Sequence, residues 1–339
     1  MAALPYFIGV DWLQLFGNLV VDFKEGQHGI FTAKKEVYQT RHFKELYTIF
    51  LGKEEVAQLQ AIPHSKIIDT GNSILKLNNK YLYQNDLTIF TNNLMKCLNF
   101  AFVSISRIDL NIDFEVFKNG YKVSNFLKDF TKGNIIKHGK NKFKLQGTQT
   151  ETLEYDYLRF GSPTSNISTY IYNKSKELRE VKNKPWIVDT WAKNGMFNDV
   201  DVYRLEFSIK KMNKNAVNEE DGTFIQMNDL AMLLRVNFEQ IVKYLIQKIW
   251  KFSTKVNWQK TKEKYRCITI KFFDFAHQCL TLERVTEKKA SNRMDKIFIK
   301  KLIGLKTDYG TTDNYFINEI DTIETYFRRT RGLLKYART

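Results

Sequence analysis

Cysteine, histidine and long apolar runs are all scarce in this chain of 339 residues. The three cysteines, Cys97, Cys267 and Cys279, are odd in number and widely spaced, so they form neither a zinc-binding pattern nor a disulfide framework. The five histidines show no HxH or HxxxH spacing, which argues against a histidine-held metal. No run approaches the roughly 20 apolar residues of a membrane span. The sequence therefore predicts a reducing, cytoplasmic setting without a membrane partner.

Two further classes of protein are excluded by what the sequence does not contain. The opening stretch MAALPYFIGVDW has no basic segment and carries Asp11 early, so we do not expect a signal peptide. A Walker-type loop, Gly-x4-Gly-Lys-Ser/Thr, is also absent, which argues against an ATP-driven motor.

Positive charge is present in excess. Lysine and arginine together number 53 against 37 acidic residues, which gives a net charge of +16 and a pI near 9.5. Such an excess favours a polyanionic partner, and with no membrane segment the favoured polyanion is nucleic acid. The length is enough for about two domains.

The segment ISRIDLNIDF, residues 105–114, alternates between apolar and polar side chains. Alternation with period two predicts a strand with one buried face. Asp109, Asn111 and Asp113 then lie in a row on the opposite face, although Asp and Asn are depleted in strands. Two interpretations remain open: a solvated face of an edge strand, or a carboxylate site for a hard cation such as Mg²⁺ or Mn²⁺.

Two later segments, residues 168–174 and 203–209, alternate in the same way. Their candidate functional groups are Tyr170, Tyr172 and Lys174 on the first, and Arg204 and Glu206 on the second. A tyrosine hydroxyl can attack a phosphodiester and hold the product covalently. Taken singly, a strand tyrosine is usually a packing residue and a lone glutamate usually lies on an exposed face. The combination of all three strands is what indicates phosphoryl-transfer chemistry.

The periodicity predicts an α+β fold with two domains. Residues 1–215 are predicted to form a mainly antiparallel sheet, with a hairpin over 73–83 and helices over 86–98 and 123–130. Beyond the polar segment 213–222 the pattern becomes helical, which predicts a mainly helical domain over residues 216–339. Its helices are predicted at 229–252, 292–305 and 313–331.

Basic residues in two regions are candidates for DNA contacts, although such charge runs are often only solvated surfaces. The candidates are Lys137, Lys140, Lys142, Lys144, Lys255, Lys260, Lys262, Lys264, Arg328 and Arg329.

Three motifs occur in a set order: SRIDLNID, then GSPTSNISTYIYNKSKEL, then VYRLEFSI. Together they resemble the replication initiation factors of rolling-circle plasmids and some phages, of the Rep_trans type. The opening IGVDWL also resembles the start of such proteins, so the resemblance covers about residues 5–210.

The resemblance implies a sheet domain like that of the HUH nucleases but without their pair of histidines. It implies an enzyme that nicks one strand at an origin, leaves a 5′-phosphotyrosine link and a free 3′-OH, and later rejoins the circle. The implied cofactor is Mg²⁺ or Mn²⁺. Expected partners are origin duplex, single-stranded DNA and host replication proteins such as a helicase, and a homodimer is one expected assembly.

Carried over residue by residue, the motifs assign roles to seven side chains. Asp109, Asp113 and Glu206 become metal ligands, Tyr172 the nucleophile with Tyr170 as its rival, and Lys174 and Arg204 phosphate contacts or orienting groups. Two alternatives are a non-catalytic DNA-binding regulator on the same scaffold and a relaxase- or transposase-like nuclease. Convergence of the acids on a tyrosine hydroxyl would favour the initiator over the regulator.

Overall fold

The computed structural model describes residues 5–20, 22–65, 71–83, 87–139, 142–149, 153–162, 164–181, 183–196, 199–210, 214–218, 224–226, 238–254, 269–275 and 280–284. No helix in these ranges is both long enough and apolar enough to cross a membrane.

Strands dominate the described residues. The strands are β1 (Tyr6–Leu19), β2 (Gly26–His28), β3 (Phe31–Lys35), β4 (Phe43–Leu51), β5 (Glu54–Pro63), β6 (Asn72–Leu77), β7 (Phe100–Phe114), β8 (Ile135–Lys137), β9 (Phe143–Gln149), β10 (Leu153–Phe160), β11 (Ile167–Asn173), β12 (Tyr203–Lys210), β13 (Lys214–Asn218), β14 (Phe224–Gln226), β15 (Phe252–Thr254) and β16 (Leu280–Arg284). The helices are α1 (Asn79–Leu82), α2 (Leu87–Cys97), α3 (Val123–Thr131), α4 (Lys174–Glu180), α5 (Pro185–Lys193) and α6 (Phe238–Lys248).

One large antiparallel sheet organises the fold. Its 11 strands follow the order β2-β3-β4-β5-β6-β1-β7-β12-β11-β10-β9. The three alternating segments of the sequence become β7, β12 and β11, which are direct neighbours. The prediction of a large antiparallel sheet within an α+β fold is therefore confirmed.

The two faces of this sheet differ in chemistry. The apolar side chains of β7, Ile108, Leu110 and Ile112, are buried in the main core, to which α3 and α6 also contribute residues. Aromatic rings fill much of that core, and those in mutual contact include Phe117, Phe126, Phe160, Trp250, Phe252 and Phe272. A smaller apolar cluster forms beside α4 and α5 from Leu178, Ile187, Trp191, Met196 and Val202.

Local capping explains where the predicted elements differ from the observed ones. The hairpin predicted over residues 73–83 is wrong, because β6 ends at Leu77 and Asn78 caps α1. The Asn78 side chain accepts a hydrogen bond from the Lys80 amide at 3.1 Å, which starts a helix where a turn was predicted. Lys174 likewise begins α4 and does not lie on β11, because Asn173 caps that helix and accepts from the Lys176 amide at 2.8 Å.

The chain divides into two compact units, Met1–Arg284 and Val285–Thr339. The predicted boundary at residue 215 therefore falls inside the first unit, within β13, which pairs with β16. Helix α6 also belongs to this unit, because Ile241 and Leu245 are buried in the main core. The described part of residues 216–284 contains both strands and a helix. The helices predicted at 292–305 and 313–331 lie outside the described residues, and a DNA-binding role for this region stays a prediction.

Candidate active site

The polar faces of three neighbouring strands meet in the middle of the large sheet. Strand pairing places Asn111 of β7 opposite Glu206 of β12, and Glu206 opposite Tyr170 of β11. Two residues along, Asp113 lies opposite Arg204, and Arg204 lies opposite Tyr172. Because side chains alternate along a strand, the predicted residues of β7, β12 and β11 share one face.

Arg204 is the centre of a buried ionic network. Its side chain is fully buried, and its guanidinium donates from Nε to Asp113 Oδ1 at 2.6 Å and from Nη2 to Asp113 Oδ2 at 2.7 Å. It also donates to Asp11 Oδ1 and, at 2.8 Å, to the Tyr83 hydroxyl. Burial alone would lower the pKa of Arg204, but Asp11 and Asp113 raise it well above its usual value. The guanidinium is therefore a permanent charge that fixes the two carboxylates.

Asp11 reaches this network through an irregularity in β1. The register between β1 and β7 shifts between Val10 and Trp12, which leaves Asp11 as an extra residue in the strand. Such a bulge redirects a side chain relative to the regular alternation. Burial would raise the pKa of Asp11, but the neighbouring cations Arg204, Lys174 and Lys184 hold it well below its usual value. Asp11 is therefore a carboxylate anion in the folded chain.

Asp113 has no carboxylate oxygen left without a donor. Besides Arg204, it accepts from Asn111 Nδ2 at 3.0 Å and from Trp191 Nε1 of α5 at 2.8 Å. A carboxylate that is bound by a buried guanidinium and two neutral donors is a structural ion-pair partner. These contacts do not fit the metal-ligand role predicted for Asp113. Of the two roles predicted for Arg204, a phosphate contact or an orienting group, they favour the orienting group.

Tyr172 and Glu206 form a hydrogen-bonded pair on the same face. The Tyr172 hydroxyl donates to Glu206 Oε2 at 3.1 Å, and both residues are partly accessible to solvent. Burial, together with the negative charges of Asp11 and Asp109, raises the pKa of Glu206 to about 8. Burial and the Glu206 carboxylate likewise raise the pKa of Tyr172 well above its usual value. Above this raised pKa, Glu206 is a carboxylate within hydrogen-bonding distance of the phenolic proton.

Lys174 and Tyr170 were predicted to share a strand face with Tyr172, and both lie near it but contact other residues. Lys174 is buried, donates from Nζ to Glu177 Oε2 at 2.6 Å, and lies 5.5 Å from the centre of the Tyr172 ring. Tyr170 accepts a hydrogen bond from the Ser168 hydroxyl at 3.0 Å. The hydrogen bond to an acid therefore distinguishes Tyr172 from its rival Tyr170.

The predicted set of three metal-binding carboxylates does not fit the observed contacts. Among the described residues, no three His, Cys, Asp or Glu side chains are grouped as metal ligands. Asp109 accepts from Arg107 Nε at 3.0 Å and Nη2 at 2.5 Å, and Asp113 is held by Arg204. Asn111 Oδ1 is buried and has no hydrogen-bond donor within the described structure. Asp109, Asn111 and Glu206 nevertheless carry oxygens on this face of the type that a hard cation takes, and a cation bound there would displace Arg107 from Asp109.

The residues predicted to contact DNA fall into three groups. Lys137 is buried, donates to the carbonyls of Ile249 at 2.8 Å and His138 at 3.1 Å, and burial lowers its pKa to about 8. This placement contradicts its predicted position in an exposed loop. Lys142 and Lys144 are exposed beside and on β9, so they remain candidates. Outside the described residues lie Lys140, Lys255, Lys260, Lys262, Lys264, Arg328 and Arg329.

Several site residues were not predicted from the sequence. Asp11 lies within the opening motif IGVDWL, and its position in that motif was the sequence signal that could have identified it as a site residue. Tyr83 and Trp191 have no such local signal, because each reaches the network through a long-range contact with Arg204 or Asp113.

No protein-family model and no curated protein matches this chain. Among solved structures, it is similar to a rolling circle replication initiator protein from Geobacillus stearothermophilus. The TM-score is 0.45 and the sequence identity 16%, over 77% of this chain and 91% of that chain. At this level, the similarity assigns no role to an individual residue of the present chain.

Proposed function

We propose that this chain is a replication initiator that nicks one DNA strand at an origin through Tyr172 and later rejoins it. The observation that carries the proposal is the hydrogen bond from the Tyr172 hydroxyl to Glu206. A nucleophile that donates to an adjacent base is the arrangement that covalent catalysis requires. The ordered motifs that resemble rolling-circle initiators support the same conclusion.

The chemistry follows from the positions of these side chains. Glu206 accepts the phenolic proton as Tyr172 Oη attacks the phosphorus, the bond between phosphorus and the 3′-oxygen breaks, and the 3′-oxygen takes up a proton. The product is a 5′-phosphotyrosine and a free 3′-OH, and attack by a 3′-OH reverses the step. Lys174 lies 5.5 Å from the centre of the Tyr172 ring, and Arg204 is the nearby cation whose charge favours the developing phenolate.

The implied divalent cation, Mg²⁺ or Mn²⁺, would be held by oxygens of Asp109, Asn111 and Glu206. When bound, it would polarise the phosphate that is attacked. Arg204 and Asp113 act behind these groups as positioning residues, because their ion pair joins β7 to β12 beside Glu206.

The test uses supercoiled plasmid that carries the chain's own gene region, incubated with Mg²⁺ or Mn²⁺. Wild-type protein should give open circles with protein attached to the 5′ end, and EDTA should prevent this. Tyr172→Phe should give neither open circles nor attached protein, because it lacks the attacking oxygen. It should keep its thermal stability, because the change removes only that one atom. Tyr170→Phe is the matched control and should retain both. Covalent product from Tyr172→Phe would refute the assignment of the nucleophile.

A second candidate function is a DNA-binding regulator without catalysis. The observation that favours it is that Asp109 and Asp113, two of the three predicted metal ligands, are each held by an arginine. A regulator would bind the same plasmid region and yield no covalent product with either cation. Further expected features of the initiator are a cytoplasmic location, contacts with origin duplex and single strand, a host helicase as partner, and a homodimeric assembly.

A further inference from the structure

A side-chain amide connects the bulge of β1 to helix α5. Asn79, the first residue of α1, donates from Nδ2 to the Asp11 carbonyl oxygen at 2.8 Å and to Asp11 Oδ1 at 3.1 Å. Its own Oδ1 accepts from Trp186 Nε1 of α5 at 3.0 Å. We refer to this chain of hydrogen bonds, Trp186 to Asn79 to Asp11, as the Asn79 bridge. It joins β1, α1 and α5, which are distant from one another in sequence.

The partners of Asn79 fix the orientation of its amide. An indole N–H can only donate a hydrogen bond, and a backbone carbonyl can only accept one. The amide oxygen must therefore face Trp186, and the amide nitrogen must face Asp11. An aspartate at this position would keep the acceptor for Trp186 but would replace the donor to Asp11 with a second carboxylate oxygen.

The Asn79 bridge supports an irregular stretch of backbone. A bulge interrupts the ladder of backbone hydrogen bonds and leaves its extra residue unpaired in that ladder. Asp11 is the extra residue of β1, and Asn79 Nδ2 binds both its carbonyl oxygen and its carboxylate. One amide group therefore fixes the main chain and the side chain of the bulge residue together.

Helix α5 reaches both carboxylates that bind Arg204. Trp186 reaches Asp11 through Asn79, and Trp191 donates directly to Asp113 at 2.8 Å. Arg204 donates to both carboxylates, and its positive charge favours the phenolate form of Tyr172. A displacement of Asp11 would therefore move the guanidinium relative to Tyr172.

We infer that Asn79 is a positioning residue for the attack by Tyr172. The inference rests on the proposed function, because it names a residue outside the reacting groups on which the rate of attack depends. Asn79 acts through Asp11 and Arg204 and makes no contact with the reacting atoms. Reacting groups lose about 100-fold in rate when a distant change misplaces them by about 1 Å.

The experiment measures single-turnover nicking of supercoiled plasmid that carries the chain's own gene region. Rates over a range of protein concentrations give the limiting rate and the half-saturating concentration. Asn79→Asp should lower the limiting rate about 100-fold and leave the half-saturating concentration unchanged, because it alters the position of groups and not the binding of DNA. Trp186→Phe removes the N–H that orients the Asn79 amide and should lower the limiting rate about fivefold.

The neighbouring residue provides a matched control. Asn78→Asp makes the same change of amide to carboxylate, and of charge, one position earlier in the chain. The Asn78 side chain caps α1 by accepting from the Lys80 amide, a role that aspartate fills equally well. Asn78→Asp should therefore nick at the wild-type limiting rate.

Amide hydrogen exchange followed by mass spectrometry examines the bulge itself. Peptides that contain Asp11 and Trp12 should exchange faster in Asn79→Asp than in wild type or Asn78→Asp, whereas peptides from β4 and β5 should not change. Thermal unfolding establishes that each variant is folded at the assay temperature. If Asn79→Asp is not folded there, Trp186→Phe supplies both measurements.

The outcomes separate this inference from the proposed function. A wild-type limiting rate in Asn79→Asp, an equal loss in Asn78→Asp, or a change in the half-saturating concentration alone would overturn the inference, while nicking by wild-type protein would uphold the proposed function. A lower rate without faster exchange at Asp11 and Trp12 would also overturn it. If wild-type protein forms no covalent product, the proposed function fails and the role of Asn79 in attack fails with it; the exchange measurement then decides only whether Asn79 holds the bulge.

Discussion

Replacing Asp113 with alanine should destabilise the fold far more than replacing Asp109, although both lie on one face of β7. Asp113 is fully buried, and its loss removes the acceptor of Asn111 Nδ2, of Trp191 Nε1 and of Arg204 Nε, while Arg204 keeps its hydrogen bonds to Asp11 and Tyr83. Removing one partner of a buried ion pair costs about 3–5 kcal/mol. Asp109 is also buried, at 4% exposure, but its partner Arg107 is 29% exposed, so water can hydrate the guanidinium once the carboxylate is removed and the cost should be smaller than for Asp113.

Urea unfolding followed by tryptophan fluorescence measures both free energies of unfolding in the same buffer. The plasmid assay then compares nicking by each variant under conditions where it remains folded. We expect Asp109→Ala to lose nicking activity with little change in its free energy of unfolding. The main effect of Asp113→Ala should be a lower free energy of unfolding. If Asp113→Ala unfolds at the wild-type urea concentration but no longer nicks, the ion-pair interpretation is wrong and a metal-ligand role for Asp113 is restored.

Three further predictions concern titration and domain organisation. Because the pKa of Glu206 is raised, the folded chain binds more protons than the unfolded chain between about pH 4.5 and 8. The free energy of unfolding should therefore fall as the pH rises through this range. Urea unfolding at several pH values should show this fall in wild type but not in Glu206→Gln. The pKa of Lys137, lowered to about 8 against 10.5, gives the opposite sign, and Lys137→Met should remove a rise in stability between those pH values while DNA binding stays unchanged. Cutting the chain after Arg284 should leave a folded unit by circular dichroism but flatten the salt dependence of duplex binding; an unchanged slope would count against DNA contacts in the C-terminal region.

The alternation of side chains accounts for what could be predicted from the sequence. The two-residue alternation places Asp109 and Glu206 on the polar faces of their strands even when the neighbouring strands are unknown. The side of a strand on which a side chain lies depends only on local backbone geometry. The adjacency of β7, β12 and β11 followed from the hypothesis that their polar groups act together. The faces and the large antiparallel sheet were therefore predictable.

The partners of the charged groups were not predictable, because they depend on strand order and on irregularities. Arg204 meets Asp113 across 91 residues of chain and Asp11 across 193 residues, and no local pattern encodes either distance. Asp11 joins them through a bulge, which alternation does not predict. Competing local signals also mattered, since the Asn78-Asn79 pair that suggested a hairpin turn instead begins α1.

The late arrival of Arg204 has a consequence for the nascent chain. Strands β1, β6 and β7 are complete about 90 residues before β12 is synthesised, so β7 is an open edge of the growing sheet during that interval. An open edge invites pairing with other chains, and charged side chains on an edge strand counteract such pairing. Until Arg204 is made, Asp113 is an uncompensated carboxylate on that edge, and it needs water that an intruding strand would remove. Asp113, which later pairs with Arg204 and joins β7 to β12, therefore protects the unfinished sheet from aggregation. It also keeps this edge of β7 available for β12, the strand that carries Arg204.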